Sequence, residues 1–321
     1  EVWVAKGTYY PTTETIARDV RSRTFLIKAR VKLYGGFAGT ESSIAERQLA
    51  DLDGNGRVDS CELVNTTVLS GDIDGVPDVW TKKMNSNGTT WTWTVTGNEG
   101  NCYQVVNNLG GTIDGFSVIG GNANNNTASI SSGGGIYADS SSSSSSVINC
   151  TVSNCSAASR GGGIYSSSSS SISNCTVSNC SATSGGGIYA YSSSAASSYV
   201  TNCTVSNCSA SSDGGGIYAF SGPSSYVSNC TVSNCSATSG GGIYAYSSSV
   251  SNCTVSNCSA TYGGGIYANS SSVSNCTVSN CSAASAGGGI YAGSSYVSNC
   301  TVSNCSAASA GGGIYAGSFS I

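Results

Sequence analysis

The sequence has 321 residues, with 12 Lys and Arg against 16 Asp and Glu, no His and a net charge of -4. This balance argues against nucleic acids or anionic membranes as partners, and no run of about 18 apolar residues predicts a membrane-spanning helix. The charge is also uneven, because Asp139, Arg160 and Asp213 are the only charged residues between 128 and 321. We therefore expect two regions, a charged one at 1–127 and an almost uncharged one at 128–321.

Strand patterns open the chain, with EVWVAKGTYYP from Glu1 and RTFLIKARVKLYGGF from Arg23. Both are rich in the β-branched and aromatic residues that favour strands. No signal peptide precedes them, and Ile321 ends the chain within a repeat. We expect a mature or truncated chain that is a fragment of a longer protein.

The segment 51–62, DLDGNGRVDSCE, matches the loop pattern that wraps one calcium ion in oxygen ligands, with Gly56 at the sharp turn. The predicted ligands are the side chains of Asp51, Asp53, Asn55, Asp59 and Glu62 and the backbone carbonyl of Arg57. In a β-protein, a single loop of this kind is expected to bind calcium for structural stability. The alternative is an acidic, hydrated loop without a metal. Asp72, Asp74 and Asp78 form a weaker pattern for a second ion.

A strictly alternating stretch, TTWTWTVT at 89–96, predicts a strand with Trp91, Trp93 and Val95 on one face. The first interpretation is a hydrophobic cap over the open end of the fold. The alternative is an aromatic platform on which a sugar stacks.

Two phrases then repeat to the end of the chain. GGGIY occurs eight times, beginning at 133, 161, 185, 214, 240, 263, 287 and 311, and NCTVSNCSA occurs seven times between these copies. A fixed period rich in Ser, Gly, Thr and Val predicts a solenoid of β-strands. We expect an all-β right-handed parallel β-helix of roughly eight regular coils. Residues 1–127 are expected to form an N-terminal cap and the first irregular coils.

The strand parity of one repeat identifies its inward residues. Cys203 and Val205 share one face, and a corner at each Asn returns Val200 and Cys208 to the interior. Ile217 and Ala219 are predicted to point inward, and Tyr218 outward. Identical residues of successive coils would then stack in columns about 4.8 Å apart.

The phrases VWVAKGTYYPT, VKLYGGFAGTE, TVLSGDIDG, NCYQVV and TIDGFSVIGGNAN, followed by GGGIY, resemble a known family. They are similar to the secreted, pectin-lyase-like right-handed β-helix proteins of bacterial surfaces, which have variable C-terminal anchors, and to polymorphic outer-membrane protein repeats. The resemblance implies an exported, surface-bound protein without established chemistry. It also implies a buried Asn ladder at F-x-x-N, a position that Cys155 occupies in the phrase Val152-Ser153-Asn154-Cys155.

The repeat cysteines have three interpretations: within-coil disulfides, a reduced thiol ladder, or a metal site. Disulfides linking residues i and i+5 are favoured, because we expect the two cysteines of such a pair to flank one corner and to point toward each other. The fourteen cysteines are Cys150, Cys155, Cys175, Cys180, Cys203, Cys208, Cys230, Cys235, Cys253, Cys258, Cys276, Cys281, Cys300 and Cys305.

Two further columns face outward in this reading. The tyrosines of GGGIY are expected to form an aromatic stripe that either seals the sheet by self-stacking or serves as a lateral contact surface. Its members are Tyr137, Tyr165, Tyr189, Tyr218, Tyr244, Tyr267, Tyr291 and Tyr315. Each NCT and NCS is also a glycosylation sequon, but we expect at least one Asn column to form a hydrogen-bonded ladder instead.

Side chains that could act as catalytic acids or bases are scarce, since the repeats contain only two carboxylates and the chain has no His. A polysaccharide lyase or hydrolase needs clustered acid and base groups, so we expect no enzyme. The leading hypothesis is a secreted, extracellular structural protein that associates with itself into a fibre, sheath or surface layer, partly because its last coil would be uncapped. The competing hypothesis is a cell-surface adhesin that binds a glycan or another surface protein. Ice binding through outward Thr and Ser rows is a less favoured alternative.

Overall fold

The protein is described here by a computed structural model, which places residues 1–52, 54, 56–125, 127, 130–139, 144–167, 169–192, 197–220 and 225–317. Over these ranges the chain is built from short β-strands. The described helices are single 3-10 turns at Val20–Ser22, Ile44–Glu46 and Asn98–Gly100. No helix in this part of the chain is long and apolar enough to cross a membrane. The expected all-β class is confirmed.

One coil of the repeat shows how the chain winds. Its strands are Tyr199–Thr201, Thr204–Ser206, Ser209–Asp213 and Ile217–Phe220, and each lies in a different sheet. The strands of sheets 1, 2 and 3 pair in parallel with the equivalent strands of the next coil, so Val200 lies beside Val227 and Ile217 beside Ile243. Because equivalent strands of successive coils pair in parallel, the fold is the expected parallel β-helix.

Three sheets run along the described part of the solenoid, each with ten strands. Sheet 1 contains Val2–Ala5, Lys32–Phe37, Thr112–Asp114, Ser146–Ile148, Ser171–Ser173, Tyr199–Thr201, Tyr226–Ser228, Ser249–Ser251, Ser272–Ser274 and Tyr296–Ser298. Sheet 2 contains Gly7–Tyr9, Thr67–Ser70, Ser117–Ile119, Thr151–Ser153, Thr176–Ser178, Thr204–Ser206, Thr231–Ser233, Thr254–Ser256, Thr277–Ser279 and Thr301–Ser303. Sheet 3 contains Phe25–Lys28, Val106–Leu109, Ile136–Ala138, Ile164–Ser166, Ile188–Tyr191, Ile217–Phe220, Ile243–Tyr246, Ile266–Asn269, Ile290–Ala292 and Ile314–Ala316.

Shorter strands lie between sheets 2 and 3 and form two small groups, which we call sheet 4. One group is Asn122–Ala123, Ser156–Ala157, Ser181–Ser184 and Ser209–Asp213, and the other is Ser259–Tyr262, Ser282–Ala286 and Ser306–Ala307. Isolated bridges through Ser236 and Ser239 connect the two groups.

In the described part of the chain, the eight coils expected from GGGIY are preceded by about two coils from the N-terminal region, which supplies strands to the same sheets. Val2–Ala5, Gly7–Tyr9 and Phe25–Lys28 form the first coil. At about 4.8 Å per coil, ten coils give a rod of about 48 Å. One hydrophobic core runs through the coils, from Ile27 to Val297.

Asparagine makes two of the corners in each repeat. All fourteen repeat asparagines, including Asn202 and Asn207, have a left-handed backbone with φ between 51° and 55°. Asn accepts this conformation more readily than most residues. Each Asn corner shifts the inward–outward alternation of side chains by one residue. Val200, Cys203, Val205 and Cys208 are therefore all buried. The predicted inward columns are confirmed.

The triple glycine turns the chain from sheet 4 into sheet 3. Gly214 has a φ of +64°, which favours glycine. Gly216 is needed for a different reason, since a Cβ there would lie 2.6 Å from Val232 Cγ1 and 2.7 Å from the carbonyl oxygen of Gly242 in the next coil. The motif therefore combines a turn with a close approach between coils.

Two N-terminal insertions fold back along the side of the solenoid. The first, 38–66, leaves the core between sheets 1 and 2 and is held by an ion pair of 2.9 Å between Arg47 and Asp114. The second, 71–105, contains an antiparallel hairpin of Val79–Met84 and Trp91–Thr96. Both insertions contact coils that lie far away in sequence, and they create the grooves discussed below.

Candidate functional site

The predicted tyrosine stripe is a continuous stack of rings on sheet 3. Successive centroids from Tyr137 to Tyr315 lie 4.5 to 5.5 Å apart, with planes inclined by at most 25°. Each inner ring is covered on both faces by its neighbours, and Tyr165 and Tyr189 are buried. The ring faces are therefore used for self-stacking.

The three charged residues of 128–321 all lie beside this stack. The Tyr137 hydroxyl donates to Asp139 Oδ2 at 2.9 Å, and the Arg160 guanidinium lies 5.4 Å from the centroid of Tyr189. Burial raises the pKa of Tyr244 to about 12, with a further contribution from the negative charge of Asp213. Burial and Asp139 also raise the pKa of Tyr137.

The repeat cysteines form two parallel columns in the core, one after each Asn corner. Every repeat thiol donates to the carbonyl oxygen two residues earlier, at 3.1 to 3.3 Å. Burial raises the pKa of Cys180, Cys208 and Cys258, because a thiolate there would lack water. The described residues contain no group of three His, Cys, Asp or Glu that is able to hold a metal ion.

The predicted within-coil disulfides are wrong for this structure. All sixteen cysteines fall among the described residues, and all are free. Cys203 and Cys208 lie on opposite sides of the Asn207 corner, but the whole strand Thr204–Ser206 separates Cys203 from that corner. Four extended steps from Cys203 to Asn207 span about 13 Å, which keeps the two cysteines too far apart for a disulfide. The arrangement is instead the reduced thiol ladder, the second of the three interpretations of the repeat cysteines.

Among the described residues, an Asn ladder links one Asn of each of three successive repeats to Asp114. Asn149 donates to Asp114 at 3.0 Å, Asn174 to Asn149 at 3.3 Å, and Asn202 to Asn174 at 3.2 Å. These side chains lie on the outside of the corners and not in the core. Asn149 is half-buried and Asn202 is exposed. The buried ladder position belongs to cysteine, as the repeat phrase indicates.

The calcium-loop segment lies against sheet 2, with Cys61 Sγ 3.4 Å from Thr176 Oγ1. The Glu62 carboxylate is buried and accepts from the backbone N–H groups of Leu52 and Asp59, and Asp51 accepts from Gly56 N at 2.9 Å. Two predicted ligands, Asp53 and Asn55, lie outside the described residues. Calcium binding by this loop stays a prediction.

A polar groove of about 390 Å³ separates this segment from the coils. One wall is formed by Arg57, Asp59, Ser60 and Cys61. The other carries an Asn row and a Thr row, formed by Asn174, Asn202 and Asn229 with Thr176, Thr204 and Thr231. This groove presents amide and hydroxyl groups at a regular spacing.

The tryptophan strand does not cap an end of the solenoid, as first expected, but lies along its side. Trp91 N donates to Ser236 Oγ at 2.9 Å, and Trp93 N donates to Ser209 Oγ at 3.2 Å. The Trp93 indole N–H also donates to the carbonyl oxygen of Asn207 at 2.8 Å. The backbone N–H groups of this strand and the Trp93 indole thus dock the hairpin across two neighbouring coils.

The predicted second ion site is not formed as a cluster of shared ligands. Asp72 accepts from Gly75 N and Asp74 from Val76 N, while Asp78 accepts from the Asn101 amide. A groove of about 420 Å³ nevertheless opens beside Asp72 and Asp78, and Tyr10, Trp80 and Asn154 also line it. The sequence did not predict these three, because they come from separate parts of the chain.

Comparison with known proteins gives one match. No curated protein and no solved structure matches the sequence. A family model described as a right-handed β-helix region matches residues 135–307. This match covers more than half of the chain and coincides with the regular coils, so the protein belongs to the right-handed β-helix region family.

Proposed function

We propose that this protein is a secreted, extracellular structural rod whose copies associate along their sides into a fibre, sheath or surface layer. The observation that carries the proposal is the regularity of sheet 2, where successive repeat coils present the same outward residues in register. In sheet 2 the outward Thr254 and Ser256 pair with Thr277 and Ser279, and these with Thr301 and Ser303.

Beyond the groove formed with Arg57 and Asp59, the flank that carries sheet 2 is also nearly free of charge, which supports association between copies. Only three charged residues occur between 128 and 321, and all three lie beside the tyrosine stack. Little like-charge repulsion therefore opposes contact between two rods. Exposed Tyr226 and Tyr296 on the neighbouring sheet 1 add aromatic surface. The scarcity of acid and base groups along this flank supports a role that is not catalytic.

Sedimentation of the native protein and electron microscopy test this proposal. We expect oligomers or fibres for the unmodified chain, and monomers for the double variant Thr254→Lys and Thr277→Lys. Both side chains are exposed on sheet 2, so the added charge repels a neighbour without entering the core. Thr12→Lys with Thr13→Lys, at exposed positions of the charged region, is the matched control and should still assemble. A native protein that remains monomeric at high concentration would refute the proposal.

A second candidate function is adhesion to a glycan, favoured by the polar groove between Asp59 and the Thr row. Sugars bind to surfaces that combine such hydroxyl, amide and carboxylate groups. Thr204→Val and Thr231→Val remove hydroxyls but keep the shape. Loss of binding on a glycan array in this variant, with Thr277→Val as the control, would support adhesion through the groove.

A further inference from the structure

The second groove, between the start of the hairpin insertion and the first coils, combines three kinds of surface. Aromatic rings come from Tyr10 and Trp80, carboxylates come from Asp72 and Asp78, and neutral polar groups include Asn154. Its volume of about 420 Å³ falls within the usual range of small-molecule sites, roughly 300 to 1,000 Å³.

The electrostatics of this groove favour a cation. No Lys or Arg is found among its described lining residues. Asp72 and Asp78 take part in none of the ion pairs formed by the described part of the chain. Burial raises the pKa of Asp78, and the negative charges of Asp72, Asp74 and Glu99 raise it further. Two carboxylates without a cationic partner repel anionic ligands and attract ammonium groups.

An independent observation comes from the side chains behind the carboxylates. Asn101 is fully buried, and its amide nitrogen donates to both oxygens of Asp78 at 3.0 and 3.2 Å. Its amide oxygen has no hydrogen-bond partner among the described residues, and neither has the buried indole N–H of Trp80. Unpaired buried polar atoms are uncommon. Trp80 lines the groove and Asn101 lies directly behind Asp78, so a ligand bound there with its waters would satisfy these atoms once the two side chains adjust.

The aromatic rings narrow the class of cation. An ammonium group is attracted to the face of an aromatic ring as well as to a carboxylate. The apolar face of a sugar ring packs against Tyr and Trp, and its hydroxyl groups bond to neutral polar groups such as Thr8, Ser70 and Asn154. A small metal ion fits less well, because the described carboxylates do not converge on one point.

We propose that this groove binds an amino sugar whose free ammonium group lies between Asp72 and Asp78 and whose ring packs against Tyr10 and Trp80. The site does not depend on the association of rods, because it lies between an insertion and the first coils. It gives the protein a ligand that differs in charge from anionic polysaccharides, which the same carboxylates repel.

Calorimetric titration with a trimer of glucosamine tests the proposal, with the fully N-acetylated trimer as the matched ligand. We expect the free amine to bind and the acetylated trimer to bind at least about tenfold more weakly, because acetylation removes the charge. Equal binding of the two trimers would overturn the proposal.

The protein variants separate this site from general attraction to an acidic protein. Asp72→Asn and Asp78→Asn should each weaken binding about tenfold, whereas Glu14→Gln, with the same change in charge at an exposed position outside both grooves, should leave it unchanged. Similar losses in all three variants would overturn the proposal. Cadaverine, a diamine without a sugar ring, should bind more weakly than the trimer. Equally tight binding of cadaverine would contradict the assignment of an amino sugar.

Discussion

The ring of Tyr218 lies parallel to that of Tyr244 in the next coil, with centroids 4.9 Å apart and planes inclined by 2°. Eight rings stacked in this way bring their hydroxyl groups together along one edge of sheet 3. The partial burial of the rings disfavours the charged phenolate, and ionisation of one tyrosine would disfavour ionisation of the next.

This stack predicts a loss of stability in alkali. The pKa of Tyr244 is raised from its ordinary value of 10 to about 12 by burial. The stability contributed by the neutral phenol is therefore fully present below pH 10 and is lost as the pH rises through about 12. We expect tyrosinate absorbance and unfolding to increase together in this interval. Tyr244→Phe keeps the stacked ring and should reduce the loss, and an unchanged alkaline transition would contradict this role.

The cysteine columns predict a sharp difference in thiol reactivity. In the native protein only the half-buried Cys61, Cys300 and Cys305 should react with a thiol reagent, and all sixteen should react after unfolding. Buried thiols with a raised pKa react slowly because the thiolate is the nucleophile. Replacing Cys300 and Cys305 by Ser should remove two native equivalents. Peptide mass spectrometry that found Cys203 linked to Cys208 would contradict the structure.

The third glycine of the repeat motif predicts a steric effect. Gly216→Ala places a methyl group within 2.7 Å of atoms in the next coil and should destabilise the fold by about 1–3 kcal/mol. Gly317→Ala is a matched control, since its nearest neighbour lies at 3.8 Å. Chemical denaturation of both variants measures the difference. Equal free energies of unfolding would mean that the coils can separate to accommodate the side chain.

The loop at 51–62 predicts stabilisation by calcium. Adding a chelator should lower the Tm of the unmodified protein, because an ion that binds only the folded state stabilises it by mass action. Asp51→Ala should have a lower Tm than the unmodified protein and should not respond to chelator. The response of the variant to chelator is more informative than its Tm alone. Asp51 also accepts a hydrogen bond from Gly56 N, whose loss would lower the Tm without any metal. An unmodified protein that is insensitive to chelator would show that the loop is only acidic.

Asp78 predicts a stabilising substitution. Its pKa is raised by burial and by the neighbouring carboxylates, so its ionisation costs stability as the pH rises through the folded-state pKa. Asp78→Asn should therefore be more stable than the unmodified protein at neutral pH, and the gain should vanish below the ordinary pKa of 3.8. Asp74→Asn, at an exposed position, should give a smaller gain in thermal melting. A destabilised Asp78→Asn variant would instead show that the charged hydrogen bonds from Asn101 outweigh burial.

Much of the fold follows from the repeat itself. Because the same residue recurs at the same place in each coil, alternation along a strand and one turn at each Asn identify the inward columns, including Val205 and Ile217. The in-register pairing of these residues in sheets 2 and 3 follows from the same rule, since a shifted strand would expose its apolar side chains. The sequence by itself thus determined the β-helix, its core and the tyrosine stripe.

Other features depend on contacts that no local pattern encodes. The sequence indicates both corners, at Asn202 and Asn207, but not the distance between the inward thiols of Cys203 and Cys208. That distance is set by the strand Thr204–Ser206, which lies between the two corners. The position of Trp91 against Ser236 joins residues 145 apart in sequence, so the alternating pattern predicted the strand but not its place on the solenoid. The groove beside Asp72 and Asp78 likewise brings Tyr10, Asp78 and Asn154 together from two separate coils and an insertion. Only the tertiary structure decided these placements, because an insertion outside the repeat has no periodic partner to fix its register.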